Sequence, residues 1–161
     1  MNAENKSYIK LIIWILTLML VGSIIGALTK SSIDTWYQTL NRAPLTPPDY
    51  VFGIAWSILY AMIAVSGWLI WKTKPCMDLK LIKRLYVSQL ILNWSWTPLF
   101  FSYHFTGIAL ICLSIIVLLV ARLIFETYKK ITATALLLIP YLLWLLFASY
   151  LNFYIWRHHY H

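Results

Sequence analysis

Apolar residues run along this chain in long unbroken blocks, and charge is confined to the ends of those blocks. Between Arg84 and Arg122 no residue is charged. Windows of about 20 apolar residues are what a helix needs to cross the hydrocarbon of a bilayer. A spanning backbone must satisfy its own hydrogen bonds, so the choice lies between helices and a closed barrel. Continuous rather than alternating blocks select helices. Five fit, at 8–29, 51–72, 79–101, 104–128 and 131–156, which predicts an all-α integral membrane protein: a five-helix bundle forming a single membrane domain over 1–161. The uncharged stretch 85–121 is too long for one helix. Pro98 and the Ser102-Tyr103-His104 segment, followed by Gly107, supply its reversal. Lys10 and Lys30 flank the first block, which lacks a small-residue cleavage site after a short apolar core. It is therefore read as a retained helix rather than a signal peptide.

The connection 30–50 is the long exception among short loops, and long loops are often functional. Ile33, Trp36, Tyr37 and Leu40 fall at i, i+3, i+4 and i+7, with Ser32 placed to cap and Asp34 in the first turn. A short amphipathic helix ending near Asn41 is predicted, and Pro44, Pro47 and Pro48 then make a stiff return into the second span. Its apolar face must rest on something. A lid over the open end of the bundle is expected, and an interfacial helix lying on lipid is the alternative.

Composition sharpens this picture. Of 161 residues 61% are hydrophobic and 11% charged, with mean hydropathy +0.74, where a soluble chain carries about a quarter charged residues. The net charge of +8 sits at span ends, so bases snorkelling to headgroups explain it and no nucleic-acid partner is expected. Lys6, Lys10, Lys72, Lys74, Lys80, Lys83, Arg84, Arg122, Lys129 and Lys130 fall on one side of the bilayer, against Lys30, Arg42 and Arg157 on the other. That asymmetry predicts a cytoplasmic N-terminus and an outside C-terminus if the membrane is a plasma membrane. Cys76, in a loop, and Cys112, inside a span, should lie at different depths, which argues against a disulfide framework.

The candidate chemistry lies in three stripes. The second span carries Phe52, Trp56 and Tyr60 at four-residue steps; the third carries Gln89, Asn93, Trp96 and Phe100; the fifth carries Pro140, Trp144, Ala148 and Asn152. A carboxamide facing lipid is costly, so Gln89 and Asn93 should point inward. Aromatic faces with a few amides describe an apolar cavity with orienting polar groups. The alternative is that the amides bond helix to helix while the indoles fill the core or sit at the membrane interface.

Three segments resemble a known family. Pro47-Pro48, Trp56 and Leu59-Tyr60 form one motif; Asn93-Trp94-Ser95-Trp96-Thr97-Pro98 form a second; Pro140-Tyr141, Trp144, Ala148 and Asn152 form a third. Together, and in this order, they resemble the tryptophan-rich sensory proteins of the TspO/MBR family, bacterial relatives of the mitochondrial translocator protein or peripheral benzodiazepine receptor. The resemblance implies a pocket beneath the first loop that binds porphyrins, sterols and isoquinoline or benzodiazepine drugs, in a homodimer. On matching positions the ligand-binding residues would be Tyr37, Pro47, Trp56, Tyr60, Asn93, Trp96, Phe100, Trp144, Ala148 and Leu151. Ile108 stands where some relatives have Trp, so a less aromatic wall is expected there.

Protoporphyrin IX, as ligand or substrate, is the leading expectation, with no cofactor required and no metal site. No His, Cys or Met stands on the three stripes to bind iron, which favours the metal-free porphyrin over haem. Arg42 and Lys30 are the bases nearest the mouth for its carboxylates. The resemblance also implies light- and oxygen-dependent breakdown of bound protoporphyrin, with Trp56 and Trp144 as candidate catalytic electron donors. Conventional hydrolase or transferase sets are absent from the sequence. Passive transport of porphyrin or sterol is the alternative function; ion-coupled transport lacks the mid-membrane acid and repeated halves it would need. Arg157-His158-His159-Tyr160-His161 is read as an interface anchor rather than a metal site. Leu151, Tyr154 and Arg157 fit a weak sterol pattern. Gly22 and Gly26 mark either a dimer seam or a thinned pocket wall.

Overall fold

A computed structural model describes residues 3–75 and 78–159, so Cys76, Tyr160 and His161 lie outside the described residues. Five helices follow one another: α1 Ala3–Asp34, α2 Asp49–Lys72, α3 Leu79–Thr97, α4 Thr106–Tyr128 and α5 Thr132–His159. A 3-10 turn, Trp36–Thr39, lies between α1 and α2, and a π-helical turn, Pro98–Ser102, extends α3. No strand occurs among the described residues.

Local chemistry sets the boundaries. Pro48 caps α2 in extended conformation (ψ 146°), while Asp49 and Lys72 stand in its first and last turns, where each complements the helix dipole. The α3–α4 reversal falls where Pro98 and His104 place it. Tyr103 N–H reaches back five residues to Pro98 O at 3.0 Å, and His104 takes a left-handed φ of 57°, uncommon outside glycine.

Four helices, α1, α2, α4 and α5, are each long and apolar enough to cross a membrane. The third differs because Lys80, Lys83 and Arg84 occupy its first two turns. The first helix runs to Asp34 rather than 29, so Ile33 closes α1 instead of opening a separate amphipathic helix. What remains of that expected helix is the 3-10 turn, which still buries Tyr37, with Leu40 buried just beyond it.

The core runs through α2, α3, α4 and α5, with Ile63, Ile82, Tyr86, Ile116, Leu123, Leu138 and Tyr141 shielded. Helix α1 is an outer stave. Ile12, Ile13, Leu16, Leu20, Ile24 and Leu28 are exposed along it, a face suited to acyl chains. Its ties are specific: Trp68 Nε1 donates to Ser7 O at 3.0 Å, and Trp14 packs against Trp71 and Tyr86. At the same end of the bundle Lys130 bridges Asp78 (2.5 Å) and Glu126 (3.5 Å), joining the α2–α3 connection to the α4–α5 turn.

Candidate functional site

A cavity of about 550 Å³ opens between α1, α2, the end of α3 and α5, with Tyr37 of the 3-10 turn in its lining. Phe52, Trp56 and Tyr60 supply the α2 wall, Trp96, Phe100 and Phe101 the α3 end, and Trp144, Ala148 and Leu151 the α5 wall. Of the ten residues nominated from sequence, eight line it: Tyr37, Trp56, Tyr60, Trp96, Phe100, Trp144, Ala148 and Leu151. Their rings pack on one another as well as on the void. Trp56 leans on Tyr60 (centroids 5.4 Å apart), Trp96 stacks on Phe100 (5.6 Å) and Phe52 meets Trp144 edge to face (5.9 Å).

Pro47 and Asn93 are not part of the lining. Pro47 belongs to the stiff return that starts α2. Asn93 lies one layer behind the wall, where its amide takes a hydrogen bond from Tyr60 Oη and gives one to Tyr141 Oη, each 2.9 Å. Gln89 points inward as its cost in lipid requires, and it accepts from Tyr141 Oη at 2.9 Å. Both amides thus join helices rather than face the void. Asn152 does both: it lines the cavity, accepts from Trp96 Nε1 at 3.2 Å and donates to Thr106 O at 2.8 Å. Ile108 is exposed and is not part of the lining.

One wall was anticipated in the sequence only through Gly22 and Gly26. Helix α1 contributes Met19, Gly22, Ser23, Gly26, Thr29, Lys30, Ile33 and Asp34, and Gly22 and Gly26 are therefore pocket wall. The signal was present as small and hydroxyl residues recurring at helical spacing within a Leu/Ile-rich span. Met19 matters most, because it brings a thioether to a cavity expected to hold no iron donor.

One end of the cavity is polar. Lys30, Asp34 and Asp49 line it where α1 ends and α2 begins. Lys30 pairs with Asp34 at 3.5 Å, and Asp49 receives Gln38 Nε2 at 2.8 Å and Arg42 at 3.2 Å. Arg42 is thus turned to Asp49 and over the Tyr37 ring (5.6 Å) rather than into the cavity. Burial pushes the Tyr37 phenol above its ordinary range; Arg42 opposes the shift and Asp49 adds to it. Trp36, on the same turn, stacks on His104 with centroids 4.0 Å apart, holding the connection against the α3–α4 reversal.

Among the described residues no group of three or more His, Cys, Asp or Glu side chains is placed to hold a metal ion. His158 instead stacks on Tyr154 (4.0 Å) near the end of α5. Leu151 faces the cavity while Arg157 is exposed, so the Leu151, Tyr154 and Arg157 pattern does not form one outward surface.

Known proteins resemble this chain over most of its length. The chain is 36% identical over 148 residues to the tryptophan-rich protein TspO of Archaeoglobus fulgidus, covering 90% of this chain and 94% of that one. It is 36% identical over 124 residues to the translocator protein of Homo sapiens (76% and 73% covered) and 32% identical over 128 residues to the tryptophan-rich sensory protein of Cereibacter sphaeroides (80% and 78%). Residues 14–157 match the profile of the TspO/MBR family, and this integral membrane protein belongs to that family.

Proposed function

We propose that this protein is a membrane receptor for flat, largely apolar small molecules, with protoporphyrin IX as the leading ligand and isoquinoline or benzodiazepine drugs as synthetic ones. The observation that carries the reading is the convergence of indole and phenol faces from three helices and the α1–α2 connection on one cavity of about 550 Å³. Small-molecule sites run to roughly 300–1,000 Å³ with apolar walls and a few polar groups. Each aromatic face stacked on a porphyrin adds about 0.5–1.5 kcal/mol beyond area burial. The porphyrin carboxylates would lie at the polar end, where Lys30 can exchange Asp34 for a ligand carboxylate. In this reading all five helices cross the bilayer, α3 counting the π turn in its length, with the N-terminus cytoplasmic. Residues 35–48 act as a lid, held by the Asp49 contacts and the Trp36–His104 stack.

The test is titration of protoporphyrin IX into the purified protein in detergent, followed by quenching of tryptophan fluorescence. Saturable binding with one ligand per chain is expected, weakened strongly by Trp56→Ala and Trp144→Ala. Quenching no greater than that of a detergent-matched tryptophan blank would remove the receptor assignment.

A further inference from the structure

Behind the cavity wall, three hydrogen bonds of 2.9 Å join four side chains from three helices. Tyr60 Oη of α2 donates to Asn93 Oδ1 of α3, Asn93 Nδ2 donates to Tyr141 Oη of α5, and Tyr141 Oη donates to Gln89 Oε1 of α3. Tyr60 alone of the four reaches the cavity. Tyr141 and Gln89 are 0% exposed and Asn93 2%. The relay ends on Gln89 Oε1, and the Nε2 of the same amide has no hydrogen-bond partner among the described residues.

The other side of the Tyr60 ring is fixed by contact. A Cβ built on Gly22 would stand 2.5 Å from Tyr60 Cε2, so the ring edge lies directly on the α1 backbone. Tyr60 is thus held at two places: its edge by Gly22 and its hydroxyl by the relay. A stacking surface is useful only in a defined plane, because aromatic contacts depend on ring geometry. One turn along α1 the cavity is open, since a Cβ built on Gly26 would meet nothing within 4 Å.

We infer that Tyr141 and Gln89 are positioning residues for ligand binding: acting through Asn93, they fix the plane of the Tyr60 ring that the ligand stacks against, although neither touches the ligand. The inference rests on the receptor reading above. Tyr141 is the key link because its one oxygen serves two of the three bonds, so Tyr141→Phe cuts the relay in two places while keeping the shape of the core.

A double-mutant cycle tests this, with protoporphyrin IX as probe and affinity as readout. Tyr60→Phe and Tyr141→Phe are each expected to weaken binding roughly 2- to 10-fold, the scale of one net hydrogen bond. The double variant is expected to bind no more weakly than the weaker single variant. Each single variant should also change the induced circular dichroism of the bound pigment, which reports its orientation and which a mere loss of fold stability would not alter. Losses that multiply in the double variant, or a Tyr141→Phe protein that binds like the parent with an unchanged pigment spectrum, overturn the inference. Should Tyr141→Phe fail to fold, Gln89→Met takes its place in the same cycle with the same expectations. A parent protein that does not bind the probe removes the receptor reading; a parent that binds while the cycle is multiplicative removes this inference alone.

Discussion

Gly22 and Gly26 stand one turn apart on α1 and both line the cavity, yet an added methyl group meets different surroundings at each. At Gly22 the new Cβ would lie 2.5 Å from Tyr60 Cε2 and 2.9 Å from Cδ2; at Gly26 it would meet nothing within 4 Å. Ordinary contact begins near 3.4 Å, so Gly22→Ala must move the Tyr60 ring or α1 by about 0.9 Å (3.4 − 2.5). A shift of that size along the ring also strains the 2.9 Å bond from Tyr60 to Asn93. Both substitutions gain the same helix propensity, about 0.5–1 kcal/mol for Ala over Gly, so their difference isolates packing. Overpacking of this kind costs about 1–3 kcal/mol. For a chain of this size that separates the two melting midpoints by roughly 2–12 °C. Thermal unfolding of both variants in one detergent measures it, and protoporphyrin IX titration should find affinity reduced in Gly22→Ala only. A Gly22→Ala protein that melts at or above Gly26→Ala and binds equally well would refute the close approach of Tyr60 to α1.

Four further outcomes are expected. Asn152→Leu strands the Trp96 indole N–H and removes a second donor from the Thr106 carbonyl, and should destabilise the protein by about 1–3 kcal/mol, read by thermal unfolding. Burial raises the Tyr37 phenol above its ordinary value of 10.0, so the closed α1–α2 connection keeps its full stability below that pH and loses it as pH climbs through the raised value. Ligand release should therefore accelerate on an alkaline jump, and Tyr37→Phe should flatten the response. If bound protoporphyrin is broken down under light and oxygen, Trp56→Phe and Trp144→Phe should slow its bleaching at matched occupancy. Haem titration with a low-spin spectrum, lost in Met19→Leu, would move the preferred ligand from the metal-free porphyrin to haem; a high-spin or detergent-like spectrum unaffected by Met19→Leu is the expected result.

Much of this architecture is legible in the sequence because charge marks helix ends and proline marks reversals. Lys10, Lys30, Lys72 and Arg122 delimit apolar blocks that the helices contain, although α1 extends past its block at both ends, from Ala3 to Asp34, and α5 runs on to His159. The aromatic stripes of α2 and α5 are legible for a different reason: at four-residue spacing, Phe52, Trp56 and Tyr60 share one face whatever surrounds it. The α1 wall is harder to read. In a membrane helix the outward face is as apolar as the inward one, so periodicity loses its contrast, and Leu16 and Leu18 look alike although one is exposed and the other buried. Residues that shape a cavity by being small, such as Gly26 and Ser23, leave only a faint mark. The amides show the same limit. Cost in lipid drives Gln89 and Asn93 inward, but whether they meet a ligand or Tyr141 depends on side chains from another helix, which spacing along α3 cannot reveal.

The turn at Pro98–Ser102 carries a consequence for how this chain can change. Phe100 and Phe101 both line the cavity from within this turn, whose wider π winding takes one residue more per turn than α geometry. Excising any single residue there would rewind the segment and rotate everything downstream of it, including the entry to α4. At this point the protein should accept a change of letter far more readily than a change of length.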